Sequence, residues 1–147
     1  MITMVNQTNL DWIQSIFESD TKNIDENSLE LLFQLVSELI DENPNLREEL
    51  LDLNVTVNLT QQDYDKKIYA SIKDGKFIYG VGAADNPNVS VKADSSFIFR
   101  FLMGMLDGAG AITPDQYSID GNFADGAIFV SVFSSAVDII EELIDNL

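Results

Sequence analysis

Ile68-Tyr69-Ala70-Ser71-Ile72-Lys73-Asp74-Gly75-Lys76-Phe77-Ile78-Tyr79-Gly80-Val81 is the stretch that decides the fold class. Asp74-Gly75 is a strong signal for a two-residue hairpin of type I′, because both central residues of that turn need positive φ. Folding the chain there pairs Ile72 with Phe77, Ala70 with Tyr79 and Ile68 with Val81. All six fall on one face, so the register closes without conflict. The period here is 2, and the apolar face it makes needs a cover.

Outward from the hairpin the same period continues. Upstream, Leu53, Val55, Val57 and Leu59 alternate with Asn54, Thr56, Asn58 and Thr60, a half-buried strand with one wet face. Downstream, Asn86-Pro87-Asn88 interrupts, and Val89, Val91 and Ala93 form a fourth strand with Ser90 and Lys92 outward. Thr113-Pro114-Asp115 turns into a fifth, residues 116–121, which points Tyr117 and Ile119 one way.

Helical spacing fills the rest. Residues 9–18 place Leu10, Ile13, Ile16 and Phe17 on one side. A stronger helix opens at Asn27, with Glu30 three residues on at capping-box spacing. Its positions Leu29, Leu32, Phe33, Val36 and Ile40 make one face, which Leu31, Leu35 and Leu39 widen until only a sheet is broad enough to cover it. Asn43-Pro44 starts a further turn, since proline suits the first helical position. Asp94-Ser95-Ser96 is expected to cap a helix running from Phe97 to Leu106, ended by Gly108-Ala109-Gly110-Ala111. In the last segment Ile128, Val130 and Val132 alternate as in a strand, whereas Phe129, Phe133, Val137, Ile140 and Ile144 follow helical spacing. Length and the acidic end favour one C-terminal helix of about 18 residues. The expected architecture is α+β: a mixed, mostly antiparallel five-stranded sheet with helices covering one face. One domain over residues 1–147 is expected, with residues 1–26 as an extra N-terminal helical element.

Composition narrows the chemistry. The 147 residues are 46% hydrophobic and 22% charged, a globular balance. Twenty-five acids against eight bases leave a net charge of −17, which argues against nucleic acid and against docking on an anionic membrane. With neither Cys nor His, a thiolate nucleophile, an imidazole base and a zinc-thiolate site are excluded. The first residues carry no signal-peptide pattern, and the longest apolar stretch, residues 127–137, holds three serines and is too short to span a bilayer. Cytoplasmic location is the default expectation, with no stable membrane insertion.

From about Leu29 onward the order of elements resembles the sterol carrier protein family. The residues that carry the resemblance are Asp74-Gly75, Pro87-Asn88-Val89-Ser90-Val91, Asp94 with Phe97 through Met103-Gly104-Met105-Leu106, and Tyr117-Ser118-Ile119-Asp120-Gly121-Asn122. The likeness covers roughly three quarters of the chain, and order and spacing make it specific rather than any single motif. One departure is Asp115-Gln116, where the family often has Gly-Lys, which removes a basic residue near the ligand mouth.

The resemblance implies non-covalent binding, and transfer, of a hydrophobic small molecule: a fatty acid, acyl thioester, isoprenoid lipid or sterol. Residues 97–106 hold three Phe, two Met and a single charge, Arg100. By composition alone this is a fully buried helix. The resemblance reverses that order and makes part of it a cavity wall, where Met supplies an adaptable surface. The expected ligand-binding residues are Tyr79, Val81, Val91, Phe97, Phe101, Met103, Met105, Phe129 and Phe133, all as apolar walls. No catalytic residue, metal ligand or cofactor is assigned. Small residues Ser131, Ser134 and Ser135 beside Phe123, Phe129 and Phe133 fit either a ligand tail or ordinary packing.

Other readings rank lower. Gly75, Gly80 and Gly82 lack the spacing and the following helix of a dinucleotide loop. Asp63 with Asp65, and Asp41 with Glu42, lack calcium-loop spacing and read as solvated surface. A single Asp with a Tyr, Asp120 or Asp125 with Tyr117 or Tyr79, is the only acid–base pairing available, and Asp120 lies on the outward phase of its strand. From a different class, a lipid-free interaction or homodimerisation module of the same fold would pack the same apolar surface solid or against a partner.

Overall fold

The structure is a computed structural model. It describes residues 25–102 and 117–145, together with Asp11 and Gln14. The expected helix over residues 9–18 thus falls outside the described residues except at Asp11 and Gln14, which are helical. Met103, Met105 and the expected helix end at residues 108–111 also lie outside them.

In chain order the elements are α1 (Ser28–Glu42), α2 (Pro44–Leu50), β1 (Val55–Gln61), β2 (Lys66–Lys73), β3 (Lys76–Val81), β4 (Val89–Ala93), α3 (Ser95–Leu102), β5 (Tyr117–Gly121) and α4 (Phe123–Asp145). The five strands form one sheet in the order β3-β2-β1-β4-β5. β1 and β4 run parallel, and the other three pairs are antiparallel. The architecture is α+β, as the alternating periods indicate.

The hairpin takes the expected register, Ile72 with Phe77, Ala70 with Tyr79 and Ile68 with Val81. Asp74 and Gly75 have φ of 55° and 74°, the two positive values a type I′ turn requires. The C-terminal segment is one helix of 23 residues, longer than expected. Its strand-like alternation at Ile128, Val130 and Val132 is a by-product of apolar residues on a helix that packs broadly.

One cap differs from the expected one. Asn27 makes no side-chain cap to α1. Asp25 and Ser28 close the turn instead: Ser28 N donates to the Asp25 carbonyl and Asp25 N to Ser28 Oγ at 2.8 Å. Asn27 Oδ1 and Glu30 Oε1 both accept from Lys66 Nζ on β2, so a long-range cation replaces the local box. For α2 the expectation holds, with Pro44 opening the helix and Asn43 Oδ1 accepting from Leu46 N at 3.2 Å.

Among the described residues, the helices cover one face of the sheet. Val55, Val57, Leu59 and Gln61 of β1 are buried beneath them, whereas Thr56, Asn58 and Thr60 face outward. The connection from β3 to β4 returns over the outer face, where Asn58 both accepts from Ala84 N (2.8 Å) and donates to its carbonyl (3.1 Å). That return is what brings β4 beside β1 in parallel. Among the described residues no helix is long and apolar enough to cross a membrane.

Candidate functional site

The layer between sheet and helices has a solid half and a hollow half. Under α1, Phe33 meets Phe77, Tyr79 and Phe133 edge-on, with ring centroids 5.5 to 5.9 Å apart. Phe77 and Phe133 also meet edge-on at 6.2 Å. Four aromatic rings fill the space above β2 and β3. Above β1, β4 and β5 the inward residues are Val57, Leu59, Val89, Val91 and Ile119, all smaller. The first turns of α4 bring Gly126 and Ala127 there, which add almost no side-chain volume.

The shortfall leaves a cavity of about 340 Å³, lined by those five strand residues, by Phe97, Ile98, Phe101 and Leu102 of α3, and by Gly126, Ala127, Phe129 and Val130 of α4. Among the described residues, none that lines it carries a polar side chain. Phe101 is 36% exposed and Ala127 is exposed, so the cavity reaches the surface between α3 and α4. Phe97 and Phe101, one helical turn apart, stack at 6.3 Å with their planes only 7° from parallel, a flat aromatic wall beside the opening.

Of the residues expected to line a ligand site, Val91, Phe97, Phe101 and Phe129 come together here. Tyr79 and Phe133 belong to the aromatic cluster of the solid half, with Phe133 fully buried. Val81, at the end of the edge strand β3, is 63% exposed, because its inward phase runs past the covering helices. Phe129 joins the halves, lining the cavity and touching Phe133 at 5.0 Å. Sequence reasoning missed Val57, Leu59, Val89, Ile98, Leu102, Ile119, Gly126, Ala127 and Val130. A glycine inside a helical pattern was the available signal, since it lowers helix propensity and so marks a position where space is being kept.

Two polar nodes hold the cavity walls. The N-terminus of α3 is capped from the β1–β2 turn: Asp63 Oδ1 accepts from Ser95 N at 3.0 Å and Oδ2 from Ser95 Oγ at 2.8 Å. Within the expected capping stretch Asp94-Ser95-Ser96, Asp94 also accepts from Gln62 Nε2 at its Oδ1 and from Ile98 N at its carbonyl. Asp63→Ala is expected to lower stability by about 0.5–2 kcal/mol, the range for a lost N-cap, read as a shift of the urea midpoint. Asn88 forms the second node. Its N–H donates to the Thr56 carbonyl, Thr56 N donates to its Oδ1, and its Nδ2 donates to Asp125 Oδ2 at 3.2 Å. Its carbonyl accepts from Asn122 N. One side chain thereby ties β1 and β4 to the first turn of α4.

The acid–base pairing weighed from the sequence is not assembled through Asp120 and Tyr79. Asp120 is exposed on the outer face of β5, and Tyr79 lies on β3 at the opposite edge of the sheet. Burial, then Glu38, then Glu30, push the Tyr79 hydroxyl above its ordinary value of 10.0. The folded protein therefore keeps this proton at a pH where the unfolded chain releases it. Stability should be indifferent to Tyr79 below about pH 10 and should fall as pH rises beyond it. Tyr79→Phe should flatten that alkaline limb in urea midpoints measured from pH 8 to 11.

A helix-covered five-stranded sheet with this order of elements is the sterol carrier protein fold. Solved structures agree. The sterol carrier protein 2 of Yarrowia lipolytica in its apo form matches with TM-score 0.55 at 11% identity, over 77% of this chain and 94% of that one. UbiJ-SCP2, described as a ubiquinone synthesis protein, matches with TM-score 0.53 at 14% identity, over 74% and 98%. The sec-alkylsulfatase Pisa1 of a Pseudomonas species matches with TM-score 0.61 at 17% identity, over 78% of this chain. The present chain spans only 17% of that sulfatase's length. No family model matches the sequence, and no curated protein does either.

Proposed function

We propose that the chain binds a hydrophobic ligand non-covalently in the cavity between α3, α4 and the sheet, and that it acts as a carrier of that ligand. The observation that carries this reading is the 340 Å³ space with an all-apolar lining. Water finds no hydrogen-bond partner on such a lining, so a ligand that covers it is favoured. A protein with no ligand would gain by closing the gap with larger side chains.

The volume matches about eleven groups the size of a water molecule or a methylene, at about 30 Å³ each. A single aliphatic chain of about that many carbons would fill it. Burying about eleven methylenes contributes about 9 kcal/mol, enough to offset much of the cost of association with no polar contact. The sterol carrier protein neighbours support the reading by fold. The Phe101 edge at the opening gives the ligand a way in and out.

Native mass spectrometry of freshly purified protein, followed by extraction and identification of whatever accompanies it, tests the proposal. A mass excess that disappears on solvent extraction is expected, together with micromolar binding of the uncharged dye Nile red. A protein that is lipid-free and does not bind the dye would instead be a dry module of the same fold.

A further inference from the structure

We propose that the outer face of the sheet carries a second binding site, for a phosphoryl group, centred on Thr60 between Lys67 and Lys92. Thr60 is the register partner of both lysines, Lys67 on β2 and Lys92 on β4. All three side chains take the outward phase of their strands. Two exposed ammonium groups therefore flank one hydroxyl, their Cα atoms two strand spacings or about 10 Å apart. Together with Gln62 and Asp65 of the β1–β2 turn they line a groove of about 530 Å³. The groove lies across the sheet from the cavity and does not depend on what is held there.

The charges of the chain are sorted between its two sides. The net charge is −17, yet the lysines among the described residues all lie on strands. Lys67, Lys73, Lys76 and Lys92 point outward, against Asp120 as the outward acid of the described strands. The acids of α1, α2 and α4 stand on the helical side of the sheet. Salt screens exposed charges beyond about 8 Å at physiological ionic strength, so at the groove the adjacent lysines outweigh those distant acids. The acids beside the turn are engaged: Asp63 holds Ser95, and Asp94 Oδ1 accepts from Gln62 Nε2. Lys66 turns inward and pairs with Glu30, whereas Lys67 and Lys92 take no carboxylate partner among the described residues. Two ammonium groups over one groove repel each other, and an anion seated between them replaces that repulsion with two attractions. A phosphoryl group brings nearly two negative charges and three acceptor oxygens, which match two cations and a hydroxyl.

Amide NMR spectra of the full chain, titrated with inorganic phosphate at pH 7.5 against sodium chloride of equal ionic strength, test the site. Saturating shifts at Thr60, Lys67 and Lys92 are expected with phosphate and not with chloride. Lys67→Gln combined with Lys92→Gln should weaken phosphate binding at least tenfold. Lys73→Gln combined with Lys76→Gln, on the same face, should leave it within twofold. Asp65→Asn removes the one charge in the groove that opposes an anion and should tighten binding at least threefold; asparagine tolerates the φ of 49° found there. Shifts that do not saturate, or that spread equally to Lys73 and Lys76, overturn the proposal, as does undiminished binding in the Lys67 and Lys92 double variant. Glycerol 3-phosphate and phosphatidic acid vesicles then separate the two sources of such a group. Tighter binding of glycerol 3-phosphate than of phosphate, with no flotation on the vesicles, assigns a soluble phosphate ester. Flotation that phosphate reverses assigns a lipid head. Nile red reads the cavity separately, and a failure there leaves this proposal standing.

Discussion

Gly121→Ala should cost about 3–4 kcal/mol of stability, one of the largest losses available from adding a single methyl group to this chain. Gly121 ends β5 with φ of 111°, a region that is nearly glycine-only. A Cβ there would lie 2.3 Å from the Asn88 carbonyl oxygen and 3.0 Å from the Val89 Cα, both backbone atoms that cannot swing aside. That same oxygen accepts from Asn122 N, so the methyl group also displaces a hydrogen bond at the start of α4. Gly82 provides the control. Its φ is 112°, yet a Cβ would meet no atom within 4 Å. Gly82→Ala should therefore lose only the conformational part, about 1–2 kcal/mol. Urea unfolding of both variants separates strain from collision, and equal losses would show that the Asn88 contact does not matter.

The turn at Asp74-Gly75 and the register it sets depend on neighbouring residues, and both are legible in the sequence. The breadth of α1 likewise follows from Leu31, Leu35 and Leu39 beside its main stripe. Long-range partners were not legible. Nothing local tells Asn27 and Glu30 to turn toward Lys66, or Asp63 to reach Ser95 across 32 positions. The parallel pairing of β1 with β4 has the same character, since it depends on a connection that Asn58 pins from the far side of the sheet.

The candidate site was legible by face and not by place. Alternation put Tyr79, Val81 and Val91 on the helix-covered side, but it could not say which half of that side is filled. A hollow is a sum over many neighbours. It arises here because four rings crowd the space over β2 and β3 while valines and a glycine face each other over β1 and β4. Periodicity counts apolar residues and does not weigh them.

Gly126→Leu puts that account to its sharpest test, because the hollow and a tightly packed core predict opposite results. A Cβ at Gly126 would sit 3.7 and 3.8 Å from the Val89 methyl groups, ordinary contact with no collision. The rest of a leucine side chain then has the cavity to occupy. Replacing glycine by leucine inside a helix contributes about 0.8 kcal/mol, and filling apolar space adds to it. The variant should therefore be as stable as the parent or more so, with a higher urea midpoint. Ligand binding should fall by two orders of magnitude or more, since the chain and the leucine compete for one volume, and Gly126→Ala should lie between. In a core already packed to normal density the same leucine would force its neighbours off their rotamers and lower stability by about 1–3 kcal/mol. Nile red titration alongside urea unfolding reads both quantities on one sample. A gain in stability joined to a loss of binding is what a space kept open for a ligand requires.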